Sequence, residues 1–189
     1  MTYNEIIAMV LDSIFISIVL AFLSIVVAYF YKKYKNEKIL KPIRTTTFLV
    51  YLYMLLFVTV FRGGLYQNLT HSINLVPFDE LLTSSYYQME VLGTSNALLM
   101  FSYNVLGNII WFIPLGLLTS TIFSKINLWK ILSISLVLSL SIEILQYCFY
   151  TGVSDIDDVI FNVLGGVIGF YMYQFGKNKI EERAGNYDH

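Results

Sequence analysis

The sequence has few charged residues and very little cysteine or histidine. Charged residues make up 13% of the 189 positions and hydrophobic residues 57%, whereas soluble domains average about 25% charged. A single cysteine, Cys148, excludes an internal disulfide and a cysteine-based zinc site. His71 and His189 are the only imidazoles, so we expect no metal and no cofactor.

Signatures of several functional classes are also missing. The net charge of −1 provides no dense basic face for a phosphate backbone, so we expect no nucleic-acid partner. The sequence contains no H-E-x-x-H, no G-x-S-x-G and no phosphate-binding P-loop. Common hydrolytic and nucleotide-binding chemistry is therefore not expected.

Five stretches are apolar and long enough to cross a membrane, which takes about 20 residues. They predict an all-α integral membrane protein, a bundle of about five transmembrane helices forming one membrane domain over 1–189. We interpret the first as a retained anchor, because no Lys or Arg precedes Lys32. The second is the shortest and is expected to stand nearly upright. The spans are 6–31, 45–61, 97–123, 128–150 and 158–175.

Eleven of the twelve basic residues fall on one side of these spans. Because Lys and Arg are kept in the cytoplasm, the N-terminus is predicted outside and the C-terminus inside. Residues 32–44 are then a basic cytoplasmic linker and 176–189 a polar cytoplasmic tail, and only Arg62 lies outside. The outer segment 62–96 is too apolar for disorder, which predicts an interfacial or re-entrant segment with Pro77 at a turn before a short amphipathic helix.

Polar side chains recur near the predicted outer ends of the spans. Polar groups in a membrane are costly, so each is expected to have a partner or a function. Several are three or four residues apart, a spacing that puts them on one helical face. They predict a polar cavity open to the outer leaflet. Its predicted binding residues are Arg62, Asn74, Asn104, Asn108, Glu143, Gln146, Asp158 and Asn162.

Structural roles compete with this interpretation at the start of the last span. Ser154 and Asp157 have the spacing of a capping box, and acids at a helix start suit the helix dipole. Capping alone is therefore the favoured explanation for Ser154, Asp155 and Asp157. Gly165 and Gly169, four apart, favour a close-packing seam.

Two further groups of residues leave the choice open. For Asn104 and Asn162, hydrogen bonds between helices are the structural alternative to binding. Glu143 lies inside its span, and Arg62 is the basic residue on the same predicted side. A structural ion pair and a functional pocket are equally weighted for these two, and they are compatible.

A short internal repeat accompanies these residues. "YNVLGNIIWF" at 103–112 and "FNVLGGVIGF" at 161–170 share aromatic-Asn-Val-Leu-Gly at an offset of 58 residues. Parallel repeats build sites in transporters, and the predicted interruption of the third span by Pro114 favours the same class. Coincidence in an apolar chain is the alternative.

The ordered motifs of the chain resemble those of the VanZ-like membrane protein family. They are Arg62 ending a span, "NLVPF" (74–78), "NVLGNIIWFIPLG" (104–116), "EILQ" (143–146) and "DIDDVIFNVLGGVIGF" (155–170). The resemblance extends from about 62 to 175. Many relatives carry an arginine just before the Asp-rich turn, whereas "TGVSDIDD" has none.

The resemblance implies a multi-pass protein of the bacterial plasma membrane, with a role in resistance to glycopeptide antibiotics, teicoplanin in particular. The partners expected on this basis are the lipid bilayer and either an amphiphilic antibiotic or a lipid-linked cell-wall precursor. The resemblance implies a role more readily than a reaction. The oligomeric state is left open.

Three functions are consistent with these features. The first is a non-enzymatic module that binds the amphiphile in the predicted cavity. The second is an intramembrane enzyme acting on a lipid-linked cell-wall intermediate, with Glu143 and Asp158 as acid and base. The third is a small transporter. The lack of further catalytic motifs favours the first.

Overall fold

The computed structural model describes residues 37–61, 73–123 and 125–185, and these ranges are almost entirely helical. The predicted all-α membrane class is therefore confirmed. Span 6–31 lies outside the described residues, as do Arg62 and His71. In chain order the elements are helix α1 (Glu37–Leu56) continued by a π-helical turn (Phe57–Phe61), strand β1 (Ile73–Asn74), and helices α2 (Asp79–Leu92), α3 (Thr94–Ile122) and α4 (Leu128–Phe149), then strand β2 (Ser154–Asp155) and helix α5 (Ile156–Gly185).

Four of the described helices are long and apolar enough to cross a membrane, and they correspond to the last four predicted spans. Three of them begin or end beyond their predicted limits, and α1 and α5 do so by the most. The second predicted span was too short, because α1 begins at Glu37 and includes Lys38 and Lys41. Helix α5 likewise continues past Phe175 to Gly185. The predicted spans were drawn to stop at charged residues. Lys, Arg and Glu are nevertheless good helix formers, so the helices continue through them. The candidate spans are Leu40–Phe61, Ala97–Ile122, Leu128–Phe149 and Ile156–Lys179.

The internal contacts divide the chain into two units, Met1–Tyr53 and Met54–His189, and the boundary falls inside α1. In the described part of the first unit, the rings of Phe48 and Tyr51 are tilted with centroids 6.4 Å apart. The elements from the π-helical turn onward belong to the second unit. The polar residues considered below lie in that second unit.

Helices α3 and α5 approach each other through glycines. A Cβ atom on Gly116 would overlap the carbonyl oxygen of Gly166, and one on Gly165 would overlap that of Ile109. Gly169 is packed against α3 in the same way. Small residues let two helix backbones come this close in a membrane. The predicted close-packing seam at Gly165 and Gly169 is confirmed.

Helix α4 packs against α5 through small polar side chains. Ser135 and Ser139 are completely buried, and the Asn162 amide donates to the Ser139 hydroxyl at 2.9 Å. Large apolar side chains are instead exposed, as expected where lipid replaces water around a bundle. On α4 these exposed residues are Leu136, Val137, Leu140 and Ile144.

The two copies of the predicted repeat have different surroundings. Asn104 is exposed on α3, whereas Asn162 is buried against α4. A Cβ on Gly107 would meet nothing within 4 Å, whereas one on Gly165 would strike α3. The prediction that Pro114 interrupts the third span is also wrong, because α3 continues through it. The residues that are identical in the two copies therefore do not occupy equivalent positions in the bundle.

Candidate functional site

A two-stranded parallel bridge joins the segment after α1 to the turn between α4 and α5. Ile73 pairs with Ser154 and Asn74 with Asp155. The Asn74 amide also donates to the Asp155 carboxylate at 3.1 Å, across 81 residues of sequence. The "NLVPF" and Asp-rich motifs thus form one structural unit.

The turn that begins α2 is held by Asp157. The Phe78 N–H donates to both carboxylate oxygens of Asp157, at 2.9 and 3.1 Å. Asp157 is 2% exposed, and the Phe78 ring packs edge-on against Phe161 at 6.5 Å. The Asn74 side chain also accepts from the Val76 N–H at 3.1 Å. The predicted turn at Pro77 before a short helix is therefore confirmed, and α5 anchors it.

The predicted capping box at Ser154 is wrong. The Ser154 hydroxyl donates instead to the Glu143 carbonyl oxygen at 2.8 Å. Asp155 caps the helix, since its carboxylate accepts the Asp157 N–H at 2.9 Å and it directly precedes α5. Two adjacent residues suited to capping precede this helix, and the sequence pattern selected the wrong one.

Glu143 lies where α4, β2 and α5 meet. Its side chain is 7% exposed, and one carboxylate oxygen accepts the Asp155 N–H at 3.0 Å. Asp158 follows Asp155 by three residues and lies in the first turn of α5. Arg62, its predicted ion-pair partner, lies outside the described residues. The bond to Asp155 therefore fixes Glu143 against the turn between α4 and α5.

Asn108 and Asp158 connect α3 to α5. The Asn108 amide donates to the Asp158 carboxylate. Helices α3, α4 and α5 and both strands therefore contribute polar groups to one region. We call this region the acid-amide cluster. Its members are Asn74, Asn108, Glu143, Asp155, Asp157 and Asp158.

Gln146 lies three residues after Glu143, but its side chain contacts the π-helical turn and not the acid-amide cluster. Its amide donates to the Thr59 carbonyl oxygen at 2.9 Å, within the π-helical turn. Its buried side-chain oxygen has no hydrogen-bond partner among the described residues. The Phe61 and Phe149 rings pack beside this contact, with centroids 5.7 Å apart. Gln146 therefore fixes the end of α1, immediately before Arg62.

The structure divides the predicted binding residues. It brings Asn74, Asn108, Glu143 and Asp158 into the acid-amide cluster, and it places Asn104 and Asn162 elsewhere on their helices. Asp155 and Asp157 join the cluster although their sequence pattern favoured capping. One signal in the sequence could have found them. Neither "NLVPF" nor the Asp-rich turn can satisfy its own hydrogen-bonding groups, so the two motifs could have been predicted to bind each other.

An open groove of about 550 Å³ lies beside the cluster, between β1 and α2. Asn74 contributes to both the groove and the cluster. Over the described ranges, no group of three or more His, Cys, Asp or Glu could hold a metal ion. The carboxylates bind N–H and amide donors instead, so the site is equipped to accept hydrogen bonds. The groove is lined by Ile73, Asn74, Asp79, Thr83, Ser84 and Tyr87.

Comparison with known proteins decides the family. The family model described as VanZ/LLP1 matches residues 47–177, most of the chain. The chain belongs to the VanZ/LLP1 family. Since the described ranges contain four helices apolar and long enough to cross a membrane, this VanZ/LLP1 chain is a multi-pass membrane protein. The family match begins at residue 47, whereas the resemblance of motifs begins at Arg62.

A curated relative of this VanZ/LLP1 chain is Protein VanZ of Enterococcus faecium. The two are 38% identical over 79 residues, which cover 42% of this chain and 49% of that protein. The chain thus spans about half the length of the curated relative it matches. No solved structure matches the chain.

Proposed function

We propose that this VanZ/LLP1 protein binds a lipid-anchored or amphiphilic ligand, either a lipoglycopeptide antibiotic or a peptidoglycan precursor, and thereby contributes to resistance to glycopeptides such as teicoplanin. The observation that carries the proposal is the acid-amide cluster itself. Carboxylates and amides gathered among apolar helices are costly in a membrane and mark functional positions. Here they adjoin an open groove.

The surroundings of the cluster suit an amphiphile. Ligand sites combine apolar walls with a few convergent polar groups. Exposed side chains of α2, including Leu82, Tyr86 and Tyr87, supply apolar and aromatic surface beside the groove. In this proposal the acyl chain lies along α2 while Asn74 and the cluster receive the polar head.

The bias of basic residues supports a site in the outer leaflet of a bacterial plasma membrane. Lys125 and Lys130 lie at the turn between α3 and α4, whereas Glu143 lies near the other end of α4. With Lys and Arg kept in the cytoplasm, the proposed topology has the N-terminus outside and the C-terminus inside. Arg62 then falls on the same side as the cluster.

The test compares variants in a glycopeptide-susceptible host. Glu143→Gln retains the side-chain shape and an acceptor for the Asp155 N–H, but it removes the charge. We expect Glu143→Gln and Arg62→Ala to lose protection against teicoplanin at unchanged protein level in the membrane. Glu90→Gln, which removes an exposed charge from α2, should keep it.

The outcome that contradicts the proposal is specific. If both Glu143→Gln and Arg62→Ala leave the minimal inhibitory concentration unchanged, the cluster does not carry resistance. Binding of labelled teicoplanin to the purified protein gives the direct readout. There Glu143→Gln should weaken binding relative to Glu90→Gln.

A second function is favoured by the position of Asp158 in the first turn of α5, three residues after the Asp155 N–H that donates to Glu143. Two neighbouring carboxyl groups can act as general acid and general base on a lipid-linked cell-wall intermediate. Incubating purified protein with such precursors and analysing them by mass spectrometry separates the two functions, since a binder returns its ligand unchanged. The transporter alternative lost one support when α3 proved continuous through Pro114.

A further inference from the structure

A second open groove, of about 510 Å³, lies at the turn between α3 and α4. It is separated from Glu143 by most of the length of α4, or about 20 Å at 1.5 Å per residue. Phe123, Ile126 and Trp129 form apolar and aromatic walls. The groove is therefore independent of the acid-amide cluster.

The charge of this second groove is uniformly positive. Lys125 and Lys130 line it, both are exposed, and no acidic side chain lines it. The sequence contains no Asp or Glu between Glu90 and Glu143, so no near neighbour in the chain neutralises the two lysines. An anion is the complementary ligand.

The aromatic and apolar walls identify the kind of anion. Trp129 is 75% exposed, and exposed tryptophan in membrane proteins sits at the level of lipid headgroups. Lysine side chains extend along apolar surface while their ammonium groups reach that level. The Asn127 side chain accepts the Lys130 N–H at 3.0 Å and fixes the turn that carries both lysines. A phosphate bearing acyl chains fits this surface, with its charge at the lysines and its chains along Phe123.

We propose that the groove at the turn between α3 and α4 binds the headgroup phosphate of an anionic phospholipid. Lys125 and Lys130 supply the charge, and Trp129 packs beside the upper part of the acyl chains. Basic groups at a membrane surface each strengthen binding to anionic lipid by about fivefold. The pair should therefore change the preference for anionic over zwitterionic lipid by about 25-fold.

The experiment uses the full chain in bilayers with Trp111→Phe, which leaves Trp129 as the single tryptophan. Quenching of its fluorescence is measured with brominated phosphatidylglycerol and with brominated phosphatidylcholine at equal mole fraction. Stronger quenching by phosphatidylglycerol is expected. Lys125→Ala with Lys130→Ala should remove that preference, and Lys125→Arg with Lys130→Arg should retain it.

A second pair of lysines serves as a control that distinguishes lipid binding in the groove from general attraction of basic residues to the membrane surface. Lys177→Ala with Lys179→Ala removes the same charge from the last turns of α5, outside the groove, and should retain the preference. Equal quenching by both lipids, or equal loss with both lysine pairs, overturns the proposal.

Free phosphate is the competing ligand. Displacement of the brominated phosphatidylglycerol by millimolar inorganic phosphate would reassign the groove to a soluble anion, which also overturns the proposal. Native mass spectrometry of the unsubstituted protein provides a measurement that does not depend on Trp111→Phe. Retention of phosphatidylglycerol over phosphatidylcholine is expected, and equal retention contradicts the proposal.

Discussion

At the scale of single residues, Asp157 joins segments that are 79 residues apart in sequence. Its carboxylate accepts the N–H of Phe78, whose φ of 65° is left-handed. That conformation costs a non-glycine residue about 1–2 kcal/mol. A hydrogen bond to a charged group contributes about 1.5–3 kcal/mol, enough to offset the cost. The start of α2 is therefore stabilised from α5.

Replacing Asp157 should loosen α2 without disrupting α5. In Asp157→Ala the Phe78 N–H loses its acceptor, and the free energy of unfolding should fall by about 1–3 kcal/mol. Amide hydrogen exchange around Phe78 measures the effect directly and should accelerate. Asp79→Asn removes an exposed charge one residue further on and should change exchange little. Unchanged exchange in Asp157→Ala would contradict the anchoring role.

Asn108 and Asn104 provide a second prediction at this scale. Asn108 donates to Asp158, whereas Asn104 is exposed one turn earlier. Asn108→Ala should lower the thermal stability of the purified protein by about 0.6–2 kcal/mol, the range for hydrogen bonds between membrane helices. Asn104→Ala should remain within about 0.5 kcal/mol of the parent. Equal effects would mean that the Asp158 contact contributes nothing.

The sequence could place these asparagines on one helical face but could not orient that face. Residues four apart are separated by about 40° around a helix, so a small rotation exposes one and buries the other. Asn108 meets Asp158 because the glycine contacts fix how α3 faces α5. Residue spacing could not reveal Asp155 and Asp157, because their acceptors and donors come from distant segments.

At the scale of elements, the glycine contacts of α3 and α5 determine the packing around the cluster. A methyl group at Gly116 or Gly165 would meet backbone atoms of the opposite helix, which cannot rotate away. The helices would have to separate, and the Asn108 bond to Asp158 would lengthen. Packing in the seam thus controls the geometry of the polar groups beside it.

Two glycine substitutions isolate this effect. Gly165→Ala should lower the melting temperature in detergent by several degrees, because overpacking costs about 1–3 kcal/mol. Gly107→Ala, where a Cβ meets nothing within 4 Å, should leave it unchanged or raise it slightly, since alanine favours helix by about 1 kcal/mol. Equal melting temperatures for the two variants would refute a tight seam.

Element type was predictable from hydropathy, and element ends were not. Apolar length located the last four spans because lipid requires continuous helix there. The helices continue beyond the apolar stretch at Glu37 and at Gly185, where charged residues still favour helix. The short strands at Ile73 and Ser154 carry no local pattern, since each is stabilised by the other.

At the scale of the whole molecule, polar groups are concentrated in distinct regions. The acid-amide cluster lies near the C-terminal end of α4, and the lysine-lined groove lies at its N-terminal end. Apolar surface is exposed between them, as at Val137 and Leu140. Because the two regions lie at opposite ends of a membrane-spanning helix, their separation is consistent with one region in each leaflet.

Sidedness can be measured by labelling single cysteines. Cys148 is exposed, so the background is Cys148→Ser. A membrane-impermeant maleimide applied to intact cells should label Val76→Cys, and should label Lys130→Cys only after the cells are opened. The reverse pattern would place the cluster in the cytoplasmic leaflet and remove its access to external antibiotics.

The bridge between β1 and β2 also has a consequence for biosynthesis. Asn74 leaves the ribosome 81 residues ahead of Asp155, so the earlier strand is delivered long before its partner exists. The start of α2 therefore lacks its anchor on α5 until that helix has been synthesised. A nascent chain arrested before Ser154 would hold every residue of α2 yet lack both the strand that pairs with β1 and the carboxylate that holds Phe78.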